Sequence, residues 1–87
     1  MTAYEFRGMV ISEHMMGALR RYIQERIPPG GFLTAVLAND LQAAVGQADS
    51  DNLPNIPAFA AYIYNEAPGN CHGSYGLVKA WLEHREA

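Results

Sequence analysis

The sequence predicts a mainly α-helical fold, a compact bundle of about four short helices with an extended N-terminal arm in front of them. Apolar residues recur at helical spacing in separate stretches, and Pro/Gly clusters punctuate the intervals between them. Hydrophobic residues make up 49% of the 87 positions and charged residues only 17%, a composition that folds rather than staying disordered. Residues 1–87 read as a single domain. A chain of this size buries only about 60–65% of its surface on folding, so a homo-oligomer is the expected state.

The arm comes first. Tyr4 to Ile11 alternates imperfectly and contains Gly8, so it reads as a short strand or as coil lying across the helices. No second strand-like segment is evident, and a paired strand would therefore need another copy of the chain.

The first helix begins after Ile11. Ser12 is a good N-cap, Glu13 sits in the first turn where the dipole favours it, and Met16, Leu19, Ile23 and Ile27 recur at helical spacing until Pro28 and Pro29 end the run. A second helix is expected from Phe32 to Ala48, with Leu33, Leu37, Leu41, Ala44 and Ala48 on one stripe and Gly46 weakening the last turn. The polar stretch Asp49-Ser50-Asp51-Asn52 is a loop. Asn55 then caps a third helix with Pro57 in its first turn and a stripe of Ile56, Phe59, Ala60 and Ile63. After the loop around Pro68, Gly69, Asn70 and Gly73, Ser74 caps a final helix carrying Leu77, Val78, Trp81 and Leu82. Glu83, Arg85 and Glu86 are expected to fray into solvent.

Charge excludes some functions. The chain carries six Lys+Arg against nine Asp+Glu, a net charge of −3. Residues 1–30 hold Arg7, Arg20, Arg21 and Arg26 against Glu5, Glu13 and Glu25; the remainder holds Lys79 and Arg85 against six carboxylates. This offers no continuous basic face for duplex DNA, and the carboxylates are too dilute to mimic it. No uninterrupted apolar run is long enough to cross a membrane, and no basic segment precedes an apolar one at the N-terminus. A single cysteine, Cys71, forms no internal disulfide and fits a reducing compartment. The expectation is a soluble, unprocessed, cytoplasmic protein.

Two stretches could carry binding chemistry. In Arg26-Ile27-Pro28-Pro29-Gly30-Gly31-Phe32-Leu33-Thr34 a rigid turn opens a helix whose first N–H groups would face an anion. Arg20, Arg21 or Arg26 would supply charge, Gly30 and Gly31 backbone contacts, and Thr34 a hydroxyl. The same glycines also suit an ordinary helix connection. In the second stretch, Tyr62 to Tyr75, the tyrosines, Asn65, Glu66 and His72 are residue types that stack on a planar base and read its polar edge. Partly buried tyrosines with wet hydroxyls are the plainer reading.

Cys71 beside His72, with His14 and His84 elsewhere, has no ligand spacing for a metal and no placed base for a thiolate. No metal, cofactor or catalytic residue is therefore assigned. Asp40 reads as an exposed helix position or a partner for an arginine.

The phrases Glu5-Phe6-Arg7-Gly8-Met9, Glu13-His14-Met15-Met16, Arg26-Ile27-Pro28-Pro29-Gly30-Gly31-Phe32-Leu33 and Tyr64-Asn65-Glu66-Ala67-Pro68 span nearly all the chain. Together they resemble a group of small, mostly uncharacterised proteins encoded in bacteriophage and prophage genomes. The resemblance carries no established reaction. It implies a non-enzymatic accessory protein in a bacterial host cell that acts by binding, either sequestering a small signalling molecule of host defence or blocking a host protein.

The combined expectation is a self-associating helical protein that binds a nucleotide-like or other anionic small molecule through Arg20, Arg21, Arg26, Gly30, Gly31, Thr34, Tyr64, Asn65 and His72. The alternative is an inhibitor or adaptor that docks on a host or phage protein.

Overall fold

A computed structural model describes residues 4–83. Arg85 and Glu86, expected to fray, and His84 lie outside the described residues.

The arm is a hairpin that pairs with itself. Strand β1 (Glu5–Phe6) runs antiparallel to β2 (Met9–Val10), with Glu5 opposite Val10 and Phe6 opposite Met9. Between them Arg7 and Gly8 both take positive φ, 52° and 86°, the geometry whose twist matches the flanking strands. This corrects the expectation that a strand here needs a second copy. The missed signal was Arg7-Gly8 itself, because a glycine at the second central position lets a two-residue turn close. The Ile11 N–H donates to the Tyr4 carbonyl at 2.9 Å, closing the ends of the hairpin, and the Val10 N–H donates to Asn55 Oδ1 at 3.0 Å, tying the hairpin to the chain just before the fourth helix. Tyr4 packs edge-on against Tyr62 with centroids 5.2 Å apart.

Helix α1 (Glu13–Arg20) starts as expected, with Ser12 Oγ accepting from the Met15 N–H. Its regular hydrogen bonding stops earlier than predicted. Residues Arg21–Glu25 form a wider π turn, closed by Arg26 in the left-handed region at φ 58° and by an Ile27 N–H bond to the Arg21 carbonyl. The widened turn carries Tyr22 fully into the core. There its hydroxyl donates to the Cys71 carbonyl at 2.7 Å, while its own carbonyl accepts from Trp81 Nε1 at 2.9 Å.

The predicted helix from Phe32 to Ala48 is instead two. Helix α2 (Gly31–Leu37) ends at Asn39, whose φ of 63° is left-handed, and α3 (Leu41–Gln47) begins under a new cap, Asp40, whose Oδ1 accepts from the Ala43 N–H at 3.1 Å. Asn and Asp in succession supply both devices, because Asn tolerates that backbone and Asp satisfies the next helix's first donors. The break rotates the stripe: Leu33 and Leu37 are buried, whereas Leu41 is 65% exposed.

Asp40 does more than cap. Its Oδ2 accepts from the Tyr75 hydroxyl at 2.6 Å, which fastens the α2–α3 corner to the last helix. That bond, and then the Ala43 N–H, hold the Asp40 carboxyl below its ordinary range. A carboxylate depressed on folding adds stability above its unfolded pKa, and the contribution is lost as pH falls through the folded pKa. The stability difference between wild type and Asp40→Asn is therefore expected to shrink on acidification from neutral pH to below the ordinary carboxylate range. Urea unfolding midpoints at both pH values check it; an unchanged difference would remove Asp40 from the acid response.

A turn at Leu53–Asn55 leads into α4 (Ile56–Glu66). Asn55 holds the cap position, but its side chain bonds Val10 and the Asp51 carbonyl rather than capping. A tight turn at Gly69–Cys71 precedes α5 (Tyr75–Glu83), where Ser74 Oγ accepts from the Leu77 N–H as the sequence predicts. Among the described residues there are thus five α-helices rather than about four, around one core in which Leu19, Tyr22, Leu33, Leu37 and Phe59 are fully buried. No helix of the described residues is long and apolar enough to cross a membrane.

Candidate functional site

The sequence-predicted residues separate onto different faces. Arg20 lies near Tyr62, whose phenol is pushed up by burial and partly drawn back by that arginine. The Arg21 guanidinium folds along its own helix, with Nη1 3.3 Å from where a Cβ on Gly17 would stand. Arg26 lies over the Trp81 ring, its guanidinium carbon 3.9 Å from the centroid, in a groove shared with Asn70, Leu77 and Ala80.

At the start of α2 one of the expected free donors, the Thr34 N–H, is taken by the helix itself. Gly30 takes φ 93°, which favours glycine, and its carbonyl accepts the Thr34 N–H at 2.9 Å. Gln47 Oε1 packs 2.8 Å from where a Cβ on Gly31 would stand. Thr34 faces α5, in a groove with Tyr75, Val78, Lys79 and Leu82. Asn65 donates to the Ala61 carbonyl of its own helix at 3.0 Å. The expected anion half and base half of a site do not meet within one chain.

What does meet is Tyr64 and His72. They line one groove of about 360 Å³ between the end of α2, the second half of α4 and the loop before α5. Val36, Leu37, Ala60 and Ile63 contribute its apolar surface, and Asn39 and Gly73 complete it. Each polar member is placed by a specific local device. Asn39 stands there because the α2–α3 corner needs a left-handed residue at that point. Tyr64 follows buried Ile63 on α4 by one residue, about 100° around the helix, and is 81% exposed.

His72 is held by its neighbours on both sides. Cys71 is fully buried with its carbonyl on the Tyr22 hydroxyl, and the Gly73 N–H donates to the Leu37 carbonyl at 2.7 Å. Gly73 is required there, since its φ of 122° favours glycine and a Cβ would come 3.3 Å from Leu77 Cδ1.

No Lys, Arg, Asp or Glu among the described residues lines this groove. A phenol, an imidazole and a carboxamide around an apolar floor suit a neutral planar ring with hydrogen-bonding edges. Burial pushes the Cys71 thiol up, so beside this groove it is a protonated, packed group rather than a thiolate. Among the described residues no three of His, Cys, Asp and Glu come together as a metal-binding group.

Sequence reasoning selects Tyr64 and His72 but not Asn39, which falls inside the continuous helix expected from Phe32 to Ala48. The readable signal was the Asn39-Asp40 pair, which stops one helix and caps the next. Glu66, noted as a companion of the tyrosines, lies outside the groove lining.

No protein-family model, no curated protein and no solved structure matches the chain.

Proposed function

We propose that the chain is a non-enzymatic accessory protein of phage or prophage type that binds a nucleotide-like small molecule, with the base held in the groove between α2 and α4. The observation that carries the reading is the convergence of Tyr64, His72 and Asn39 on one apolar-floored groove. A nucleobase is a planar ring with donor and acceptor edges, and each base–aromatic stack contributes about 1–3 kcal/mol. A lining without Lys, Arg, Asp or Glu among the described residues favours the ring, and the phosphate of a whole nucleotide then lies outside the groove. The phage context, and with it the sequestration of a host-defence signal, rests on the four phrases quoted above.

Calorimetric titration with nucleosides and nucleotides tests the assignment. Tyr64→Ala and His72→Ala are each expected to stay folded, because neither side chain belongs to the core, and to weaken binding by about 5- to 100-fold. Unchanged affinity in both variants would remove the groove from the binding site.

A further inference from the structure

From Ile27 to Ala48 the sequence holds one charged residue, Asp40, in a chain that has 15 charged residues in 87. That carboxylate is engaged by the Ala43 N–H and the Tyr75 hydroxyl. Phe32, Leu33, Ala35, Leu37 and Ala38 of this segment belong to the core, but the turn before α2 and most of α3 are surface. Leu41 is 65% exposed and Val45, one turn on, is 47% exposed, which leaves an apolar pair on the outer side of α3. Gly46 beside them has nothing within 4 Å of where a Cβ would stand, so the face is open to a close approach. Gln47 packs against Gly31, joining α3 to the turn at Ile27, which is itself 38% exposed.

We infer that this face, centred on Leu41 and Val45, is where a second copy of the same chain docks. The reason for choosing a second copy is charge. In a two-fold interface every group near the axis meets its own image, so a charge of either sign is repelled there and both signs are excluded. An unlike partner imposes no such rule, since it can meet a charge with its opposite. A protein of net charge −3 otherwise resists its own copy, and the neutral α3 face is where two copies approach without juxtaposing like charges. A seven-residue helix is only about 10 Å long. The area buried then falls at the low end of specific interfaces, below about 1,200 Å² in total, and the dimer is weak and concentration-dependent.

Sedimentation of the full chain from micromolar to millimolar concentration tests this, with two double variants, Leu41→Glu with Val45→Glu and Leu41→Lys with Val45→Lys. Wild type is expected to pass from monomer to dimer across the range. Each double variant is expected to stay monomeric with wild-type circular dichroism, its dimer dissociation constant raised at least tenfold. An equimolar mixture of the two is expected to recover a dimer, because opposite charges then face each other across the axis. Three results would overturn the inference: a wild type monomeric to millimolar concentration, double variants that dimerise like wild type, or a mixture that stays monomeric.

Discussion

Phe59→Ala is expected to lower the unfolding free energy by about 3–5 kcal/mol, the usual cost of truncating a buried aromatic. Phe59 is fully buried in the first half of α4 and meets Phe32 of α2 edge-on, with centroids 5.1 Å apart and planes at 87°. The pair is worth about 0.5–1.5 kcal/mol beyond the area it hides. The surrounding side chains come from separate helices and the loop before α5, so they can close the resulting cavity only in part. A domain of this size has a total stability of roughly 4–13 kcal/mol, so this one change removes a large share of it. Urea unfolding followed by circular dichroism checks the value. A loss below about 1 kcal/mol would mean that the Phe32–Phe59 contact is not central to the core.

Tyr22→Phe is the next largest, at about 1–3 kcal/mol. The substitution keeps the buried ring and removes only the hydroxyl that donates to the Cys71 carbonyl at 2.7 Å. Two costs follow, the lost bond and a carbonyl left without that donor in the interior. Burial and the nearby Cys71 push the Tyr22 phenol well above the ordinary tyrosine range, so the hydroxyl stays protonated and remains a donor at any working pH. The bond also joins the π turn to the segment that sets His72, so Tyr22→Phe is expected to weaken ligand binding at the groove while Tyr64→Ala leaves stability unchanged. Unfolding and titration on both variants separate the two effects. Equal stability of Tyr22→Phe and wild type would mean that the Cys71 carbonyl finds another donor.

The sequence was most legible where local chemistry decides structure. Ser12 and Ser74 cap the helices they are expected to cap, Pro57 sits in the first turn of α4, and Ile56, Phe59 and Ile63 of the expected stripe face inward, whereas Ala60 is exposed and Ala58 is buried in its place. It was least legible where a local device competes with a longer pattern. Leu33, Leu37 and Leu41 keep helical spacing across Asn39-Asp40, and periodicity alone runs through a corner that one left-handed residue can make. The same holds at Tyr22, which lies off the expected stripe of Met16, Leu19, Ile23 and Ile27 yet is fully buried within the π turn, and at Arg7-Gly8, where two residues fold an apparent lone strand onto itself.

The candidate site was half legible. Residue chemistry selected Tyr64 and His72, but which groups share a groove depends on contacts far apart in sequence, such as the Gly73 N–H on the Leu37 carbonyl. The arginines followed a different logic: Arg26 spends its planar cation on Trp81, a tertiary contact that nothing in the local sequence announces.

Native mass spectrometry of the protein taken from bacterial cells, wild type beside Tyr64→Ala, followed by denaturation to release anything bound, tests the groove most directly. Wild type is expected to carry a stoichiometric small molecule containing an aromatic ring and phosphate, and Tyr64→Ala to have lost it. A wild type that carries no small molecule and instead brings down a single host protein, or a ligand held equally by both, would contradict the proposed site.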